Sequence, residues 1–374
     1  MKILIITNLF PNASEPNRAM FNKQQFLALR EYCDFKVIAP LPHFKCTRGQ
    51  VPLRETIDGM DVHHPRYLVI PKILRSMHGV SYYYGIHNEV EDIAKTFSFD
   101  LIFATWTYPD AYAASMIAKE MNKPLVIKVH GSDINLLNLY PSRRVMVQKT
   151  FKQAKKIIAV SQPLKRKLVE LGVPEYKVTH LTNGIDTKKF HPMDKIQCRR
   201  ELSLPLNKHI VLYVGNLELV KGVDILVDAV RGFPEDVLLI VVGDGNLKNI
   251  LSQKIKDPSF NGRVRLVGSQ AHDQIPLWLN AANCFCLPSR NEGCPNVILE
   301  ALACGVPIVA TNVGGIPDLI DSNADAALIE PENPKALAQG IIKILQRPRQ
   351  TPSVQPLSWR ENARQLFKVF EESV

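Results

Sequence analysis

Short aliphatic, β-branched runs recur along the second half of the chain: HIVLYV at 209–214, VLLIVV from Val237, VRLV from Val264, CFCL from Cys284 and PIVAT from Pro307. Helix-length stretches separate them, such as 222–230 and 295–304. Strands that are apolar on both sides of the pleat, alternating with helices, predict a parallel sheet covered on both faces. The first half repeats the grammar less cleanly. KILIIT, FKVIA, DLIFAT, LVIKV and KKIIAV read as strands, and 18–30 and 111–121 as intervening helices. Residues 40–85, rich in Pro, His and Tyr, read as irregular. The class is α/β, and in such sheets ligands bind beyond the carboxyl ends of the strands. The residues at those ends are Gly215-Asn216, Gly243-Asp244-Gly245, Gly268, Ser289 to Cys294 and Asn312 to Gly315. Glycine and polar groups therefore crowd one edge, where backbone N–H groups can approach a ligand closely.

A chain of 374 residues exceeds the usual size of one core. The turn Asn183-Gly184-Ile185-Asp186 closes the first half, 188–209 reads as a connection, and 358–372 has helical period. The expected division is 1–186 and 187–357, with the helix of 358–374 packing back on the first domain. Composition is that of a globular protein, with no apolar run of the roughly 18 residues that span a bilayer. The apolar opening MKILIITNLFP has no small-residue cleavage site and reads as the first strand. Seven cysteines without paired spacing read as buried reduced thiols, which fits a reducing cytoplasm.

Charge is uneven. Of the net +10, most lies in residues 1–186, which carry 25 Lys and Arg against 16 Asp and Glu. Arg143, Arg144, Lys149, Lys152, Lys155, Lys156, Lys165, Arg166 and Lys167 follow one another with no acid between. Such a stripe suits an anionic lipid surface or a phosphorylated acceptor, or is simply a solvated face. The aromatic-interleaved platforms of a nucleic-acid binder are absent, so no nucleic-acid partner is expected.

The strongest local pattern is Ser289-Arg290-Asn291-Glu292-Gly293-Cys294-Pro295-Asn296-Val297-Ile298-Leu299-Glu300. A loop bearing Glu292 leads into a helix with Pro295 in its first turn, a favoured place for proline. The N–H groups of Asn296 and Val297 and the helix dipole there favour an anion. Glu300 follows about one turn later, so one acid on the loop and one on the helix can bracket a ligand. Spacing alone leaves open that these are ordinary acids near a helix start.

This segment resembles the E-x7-E signature of the family-4 retaining glycosyltransferases, which have the GT-B fold of two facing Rossmann-like domains with a cleft between them. The resemblance extends over nearly the whole chain. It takes in the loop near Asn8–Gln24, the HGSD run His130–Asp133, Asn183–Asp186, Val214 to Gly222, Val242–Gly245 and Ala310–Gly315. It implies that 1–186 is the acceptor side and 187–357 binds the nucleotide-diphosphate sugar. Glu300 would hold the ribose hydroxyls, Glu292 the sugar hydroxyls near the anomeric carbon, and Lys221 the diphosphate. Gly243, Asp244 and Gly268 would shape the base pocket, with Cys294, Asn296 and Val297 beside the phosphates. His130 would sit over the reacting sugar. Two positions depart from the family. Asn216 stands where an arginine usually pairs with the lysine, so one fixed positive charge is missing; Arg18 or another basic side chain can compensate, and Asn216 can still hydrogen-bond a phosphate oxygen. Pro295 replaces a glycine and has no N–H to offer.

No Asp-x-Asp metal motif occurs. A lysine and a helix N-terminus can stabilise the departing diphosphate, so no metal or other cofactor is expected to be required. The expectation is a retaining transferase that uses a nucleotide sugar, UDP-linked by family prior, on a glycan or lipid-linked acceptor in cell-surface polysaccharide assembly. The acceptor side is placed at Ile70–Arg75, Tyr82–Tyr84 and the stripe with Arg143, Arg144, Lys152, Lys155 and Lys156. The expected location is the cytoplasm, at the inner face of the membrane. Rivals are a transferase on a small soluble sugar, a sugar-nucleotide epimerase and a non-catalytic binding module.

Overall fold

The computed structural model describes residues 1–43, 51–69, 77–135, 137, 141–320, 325–347 and 355–374. They form two compact units, Met1–Gly184 with Trp359–Val374, and Ile185–Ser358.

The first unit contains β1 (Lys2–Ile6), β2 (Asp34–Ile38), β3 (Leu41–Pro42), β4 (Arg54–Ile57), β5 (Met60–His63), β6 (Arg66–Tyr67), β7 (Leu101–Thr105), β8 (Leu125–Val129), β9 (Lys156–Ala159) and β10 (Val178–His180). Its main sheet runs β10-β9-β8-β7-β1-β2-β5-β4, and only the β4–β5 pair is antiparallel. Ile3 to Ile6, Leu101 to Ala104 and Val126 to Ile127 have no exposed surface, as central parallel strands require. The chain leaves β1 for β2 on one side and returns to β7 on the other, which makes the β1–β7 edge a topological switch point. The C-terminal helix Trp359–Glu371 packs on helix Met20–Leu29. Lys128, fully buried on β8, donates to Gln25 (2.9 Å) and Asn183 (3.0 Å), and Gln25 donates to Asn362 (2.5 Å). A buried ammonium is tolerable only with such partners, and these also hold the returning helix in place.

Two readings of the sequence need correction here. Residues 40–85 are not wholly irregular. They hold the hairpin β4–β5, turned at Asp58 (φ 47°) and Gly59 (φ 76°), and the start of the long helix His78–Thr96. Left-handed φ at both turn positions is what a two-residue hairpin demands, and Asp-Gly supplies it. The stretch 188–209 is not a bare connection either. It contains helix Lys195–Glu201, whose Arg199 is buried and donates to the carbonyls of Ala281 (2.9 Å) and Lys208 (3.0 Å).

The second unit contains β11 (His209–Val214), β12 (Val237–Val242), β13 (Val264–Gly268), β14 (Cys284–Leu287), β15 (Ile308–Thr311) and β16 (Ala326–Ile329). All pairs are parallel, in the order β13-β12-β11-β14-β15-β16. This is the strand order of the Rossmann fold, with the switch point between β11 and β14. Cys284 and Cys286 lie buried within β14, and burial pushes the Cys284 thiol up to about 12. Among the described residues, no helix is long and apolar enough to cross a membrane.

Candidate active site

The β11 and β14 loops of the second unit deliver the predicted acids and lysine. After β11 the chain passes Asn216, which is exposed, and turns at Lys221 into helix Val223–Ala229. After β14, the loop Ser289 to Cys294 runs into helix Asn296–Ala303. The two meet directly: Lys221 Nζ lies 2.8 Å from Glu292 Oε1. Ser289 Oγ donates to the same oxygen at 2.7 Å. The Glu292 side chain is only 7% exposed and that of Lys221 28%. So enclosed a carboxylate needs these donors, and charge-assisted bonds of this length are among the stronger ones. Thr311 Oγ1, at the end of β15, donates to the Ser289 carbonyl at 2.5 Å and braces the loop.

Glycine makes this crowding possible. Gly314 has φ 54°, and a Cβ there would fall 1.8 Å from the Glu292 carbonyl oxygen. At Gly243 (φ 144°) a Cβ would lie 1.9 Å from the Gly215 carbonyl, so the loops after β11 and β12 touch backbone to backbone. Gly268 (φ 84°) closes β13 facing open space. Asp244 is exposed and turned toward Lys248 (2.6 Å), whose ammonium holds its carboxyl below the usual value.

Helix Asn296–Ala303 begins one residue later than the sequence suggests, with Pro295 as its N-cap and, among the described residues, no side chain capping it. Cys294, Asn296 and Val297 are all half-buried at this end. Glu300 projects from the same helix, and its Oε1 lies 3.1 Å from His272 Nε2. The structure therefore brings Lys221 and Glu292 together, and it gives Glu300 a partner that the sequence did not announce. Arg290 is likewise new. It makes a bidentate pair with Asp224 (2.8 and 2.9 Å), bonds Glu332 (3.1 Å) and donates to the Leu219 carbonyl, clamping the loop that carries Lys221. Asp224 first, and then Glu332, holds the Arg290 guanidinium above its ordinary range, so this cation is committed locally. Arg18, the residue named to compensate for Asn216, belongs to the first unit and pairs with Glu15 (2.7 Å).

The first unit builds a second polar cluster at its own switch point. His130 follows β8 with its ring stacked on Trp106 (centroids 6.0 Å apart) and tilted against Phe21 (5.0 Å). Its Nε2 is shielded and has no hydrogen-bond partner among the described residues. Burial, and then the Lys128 charge, keeps His130 well below its usual value, so the ring is neutral near pH 7. Asp133 accepts the N–H groups of His130 (3.0 Å), Gly131 (2.9 Å) and Thr107 (3.2 Å) and so shapes the HGSD turn. Trp106 holds φ 123°, costly for a residue with a Cβ, beside this turn.

Asp110, unflagged by sequence, is fully buried and accepts from Asn8 N and Nδ2, both at 2.8 Å. Burial raises its carboxyl to about 8 against those donors. It ties the β1 loop to the β7 loop. On the basic stripe, Arg144, Lys149, Lys152 and Lys155 are exposed. Arg143 lies over the Tyr108 ring (5.0 Å), Lys156 reaches Glu372 (3.3 Å) and Lys165 reaches Glu175 (3.0 Å). Tyr82 is buried, Tyr83 donates to Glu120 (2.9 Å), and Tyr84 is exposed. Ile70–Arg75 lie outside the described residues.

Two doubly wound units with paired acids and a lysine at a switch point define a GT-B glycosyltransferase. Solved structures share this fold. Sucrose-phosphate synthase from Thermosynechococcus elongatus superposes with a TM-score of 0.78 at 20% identity, covering 100% of this chain and 94% of that one. HepE from Anabaena, solved with UDP-glucose, gives 0.72 at 22% identity, with 98% and 94% covered. The sequence profile for glycosyl transferases group 1 matches residues 194–366, and that for glycosyltransferase family 4 matches 34–189. TuaC of Bacillus subtilis, a glycosyltransferase assigned to teichuronic acid biosynthesis, is 31% identical over 366 residues, 92% of this chain and 89% of TuaC. The chain belongs to glycosyltransferase family 4, and it is an enzyme.

Proposed function

We propose that the enzyme transfers a sugar from a UDP-sugar, with retention at the anomeric carbon, to a glycan or lipid-linked acceptor in polysaccharide biosynthesis. The observation that carries this reading is the pair of acids at the β11–β14 switch point, Glu292 held by Lys221 and Ser289, and Glu300 held by His272. TuaC supports the pathway class, and HepE with UDP-glucose supports the donor.

In this reading the diphosphate draws Lys221 from Glu292, which frees the Glu292 carboxylate for sugar hydroxyls. Lys221 and the first turn of helix Asn296–Ala303 then neutralise the leaving group without a metal. Glu292 serves as a hydroxyl ligand, so no enzyme carboxylate attacks the sugar. The acceptor oxygen attacks on the face the diphosphate leaves, and a phosphate oxygen takes its proton. Neutral His130 can offer the sugar a hydrogen bond but not a positive charge.

Residues 187–357 carry the donor and 1–186 the acceptor. Arg144, Lys149, Lys152 and Lys155, exposed on one stretch, would rest on an anionic cytoplasmic membrane face. The test is turnover of UDP-sugars with a polyprenyl-diphosphate-linked sugar in the presence of EDTA. Product of retained configuration, formed at an undiminished rate with chelator, is expected. Inverted product, or loss of activity restored by a divalent ion, would refute the mechanism.

A further inference from the structure

We propose that His272 is a positioning residue for Glu300 and thereby enforces preference for a ribonucleotide over a 2′-deoxyribonucleotide donor. The inference rests on the reading of Glu300 as the ribose ligand and adds a residue to it. His272 opens the turn His272–Gln274 that follows β13, at the edge of the sheet, whereas Glu300 stands on the helix after β14. A carboxylate only accepts, so the 3.1 Å contact has Nε2–H of His272 donating to Oε1 of Glu300. Nδ1, the other ring nitrogen, is shielded with no hydrogen-bond partner among the described residues.

A ring placed there for packing alone would do better without nitrogen, because an unmet buried polar atom is destabilising. The unmet atom is tolerated on the side away from Glu300, and the met one faces it. Phe190, 2% exposed, meets the imidazole edge to face (centroids 5.4 Å apart) and limits its rotation. Lys189 pairs with Asp273 and anchors the same turn. The ring is thus a fixed donor.

Glu300 needs one. A glutamate has three rotatable side-chain bonds, and fixing them from a mobile state opposes binding. Glu292 has two donors, Ser289 and Lys221, whereas among the described residues Glu300 has His272 alone. With Oε1 bonded, the carboxylate is already oriented for ribose hydroxyls before the nucleotide arrives. The gain is full for a ligand that offers both ribose hydroxyls and smaller for one that keeps only the 3′-hydroxyl, which makes it a specificity effect.

The test is calorimetric titration of UDP and 2′-deoxy-UDP into the wild type, His272→Leu, His272→Gln and Glu300→Ala, with melting curves for each. Leucine keeps the contact with Phe190 and removes the donor, and glutamine returns an N–H. His272→Leu should weaken UDP about tenfold, the equivalent of one charge-assisted hydrogen bond, and weaken 2′-deoxy-UDP, which keeps only the 3′-hydroxyl, clearly less. His272→Gln should recover most of the loss, and Glu300→Ala should abolish the preference. If Glu300→Ala abolishes it but His272→Leu weakens both nucleotides equally, or neither, His272 only packs, and the proposal falls while the ribose reading stands. If Glu300→Ala leaves the preference intact, or neither nucleotide binds the wild type, the ribose reading falls and takes the proposal with it. Should His272→Leu fail to fold, His272→Ala and His272→Gln give the same comparison.

Discussion

Lys221 pairs with the nearly enclosed Glu292 carboxylate at 2.8 Å, and in the proposed mechanism the diphosphate takes it over. Removing the lysine leaves that charge, among the described residues, with only the Ser289 hydroxyl, and takes away the cation that the proposed mechanism gives the leaving group. Lys221→Ala should lower kcat/KM by about a hundredfold or more, as loss of a transition-state charge partner does elsewhere. Steady-state kinetics would show it, and unchanged kcat/KM would deny Lys221 a role in the reaction. Asp110 makes a separate prediction about pH. Burial lifts its carboxyl from 3.8 to about 8, so the folded state holds a proton that the unfolded state releases. Its contribution to stability is full below about pH 4 and is lost as pH rises through about 8. Asp110→Asn keeps an acceptor for Asn8 without the titration, so its Tm should fall less than that of the wild type between pH 5 and 8. Parallel Tm profiles would contradict this account of Asp110. Lys221, Glu292 and Glu300 were legible as candidates through the family resemblance, since their spacing alone leaves open that they are ordinary charged residues near helix starts. His272 and Asp110 were not, since each bonds a residue distant in the chain and burial has no local signature.

At the scale of elements, the central strands were legible because both faces of the pleat are apolar, and HIVLYV, VLLIVV and CFCL match β11, β12 and β14 residue for residue. The hairpin β4–β5 was missed because RETIDGMDVH is short, polar and at the sheet edge, although Asp58-Gly59 carried the turn. Helix His78–Thr96 starts on a run of Gly, Ser and three tyrosines, weak helix formers that tertiary packing overrides. The loop of Lys221 has its own latch in Arg290. Replacing it by alanine frees Asp224 and Glu332 and loosens the Leu219 carbonyl. Arg290→Ala should raise KM for the nucleotide sugar several-fold and lower Tm by a few degrees, the shift expected for about 1–2 kcal/mol. A normal KM would show that the loop holds itself. The returning helix depends in the same way on Asn362, which accepts from Gln25 and donates to Thr182 (2.5 Å). Asn362→Ala should cost about 1–3 kcal/mol by leaving buried partners unmet, while nucleotide affinity, which the proposed donor site assigns to the other unit, should stay the same. Denaturant unfolding and calorimetry together read both outcomes.

Over the whole molecule, the net charge of +10 is concentrated in the first half of the chain, in which Arg144, Lys149, Lys152 and Lys155 are exposed. Exposed cations this close together favour an anionic surface, with attraction that falls steeply with salt. Vesicles containing anionic lipid should bind the protein at low ionic strength, and glutamate at 144, 152 and 155 should abolish the binding without altering UDP affinity. Indifference to lipid charge would leave the stripe as a solvated face. The donor site itself is tested most directly by calorimetric titration of UDP, GDP and ADP into the wild type and Glu300→Ala. UDP should bind in preference to the other two, and Glu300→Ala should weaken it by about tenfold or more. Equal binding of all three, or UDP affinity untouched by Glu300→Ala, would contradict the placement of a UDP-sugar on the paired acids.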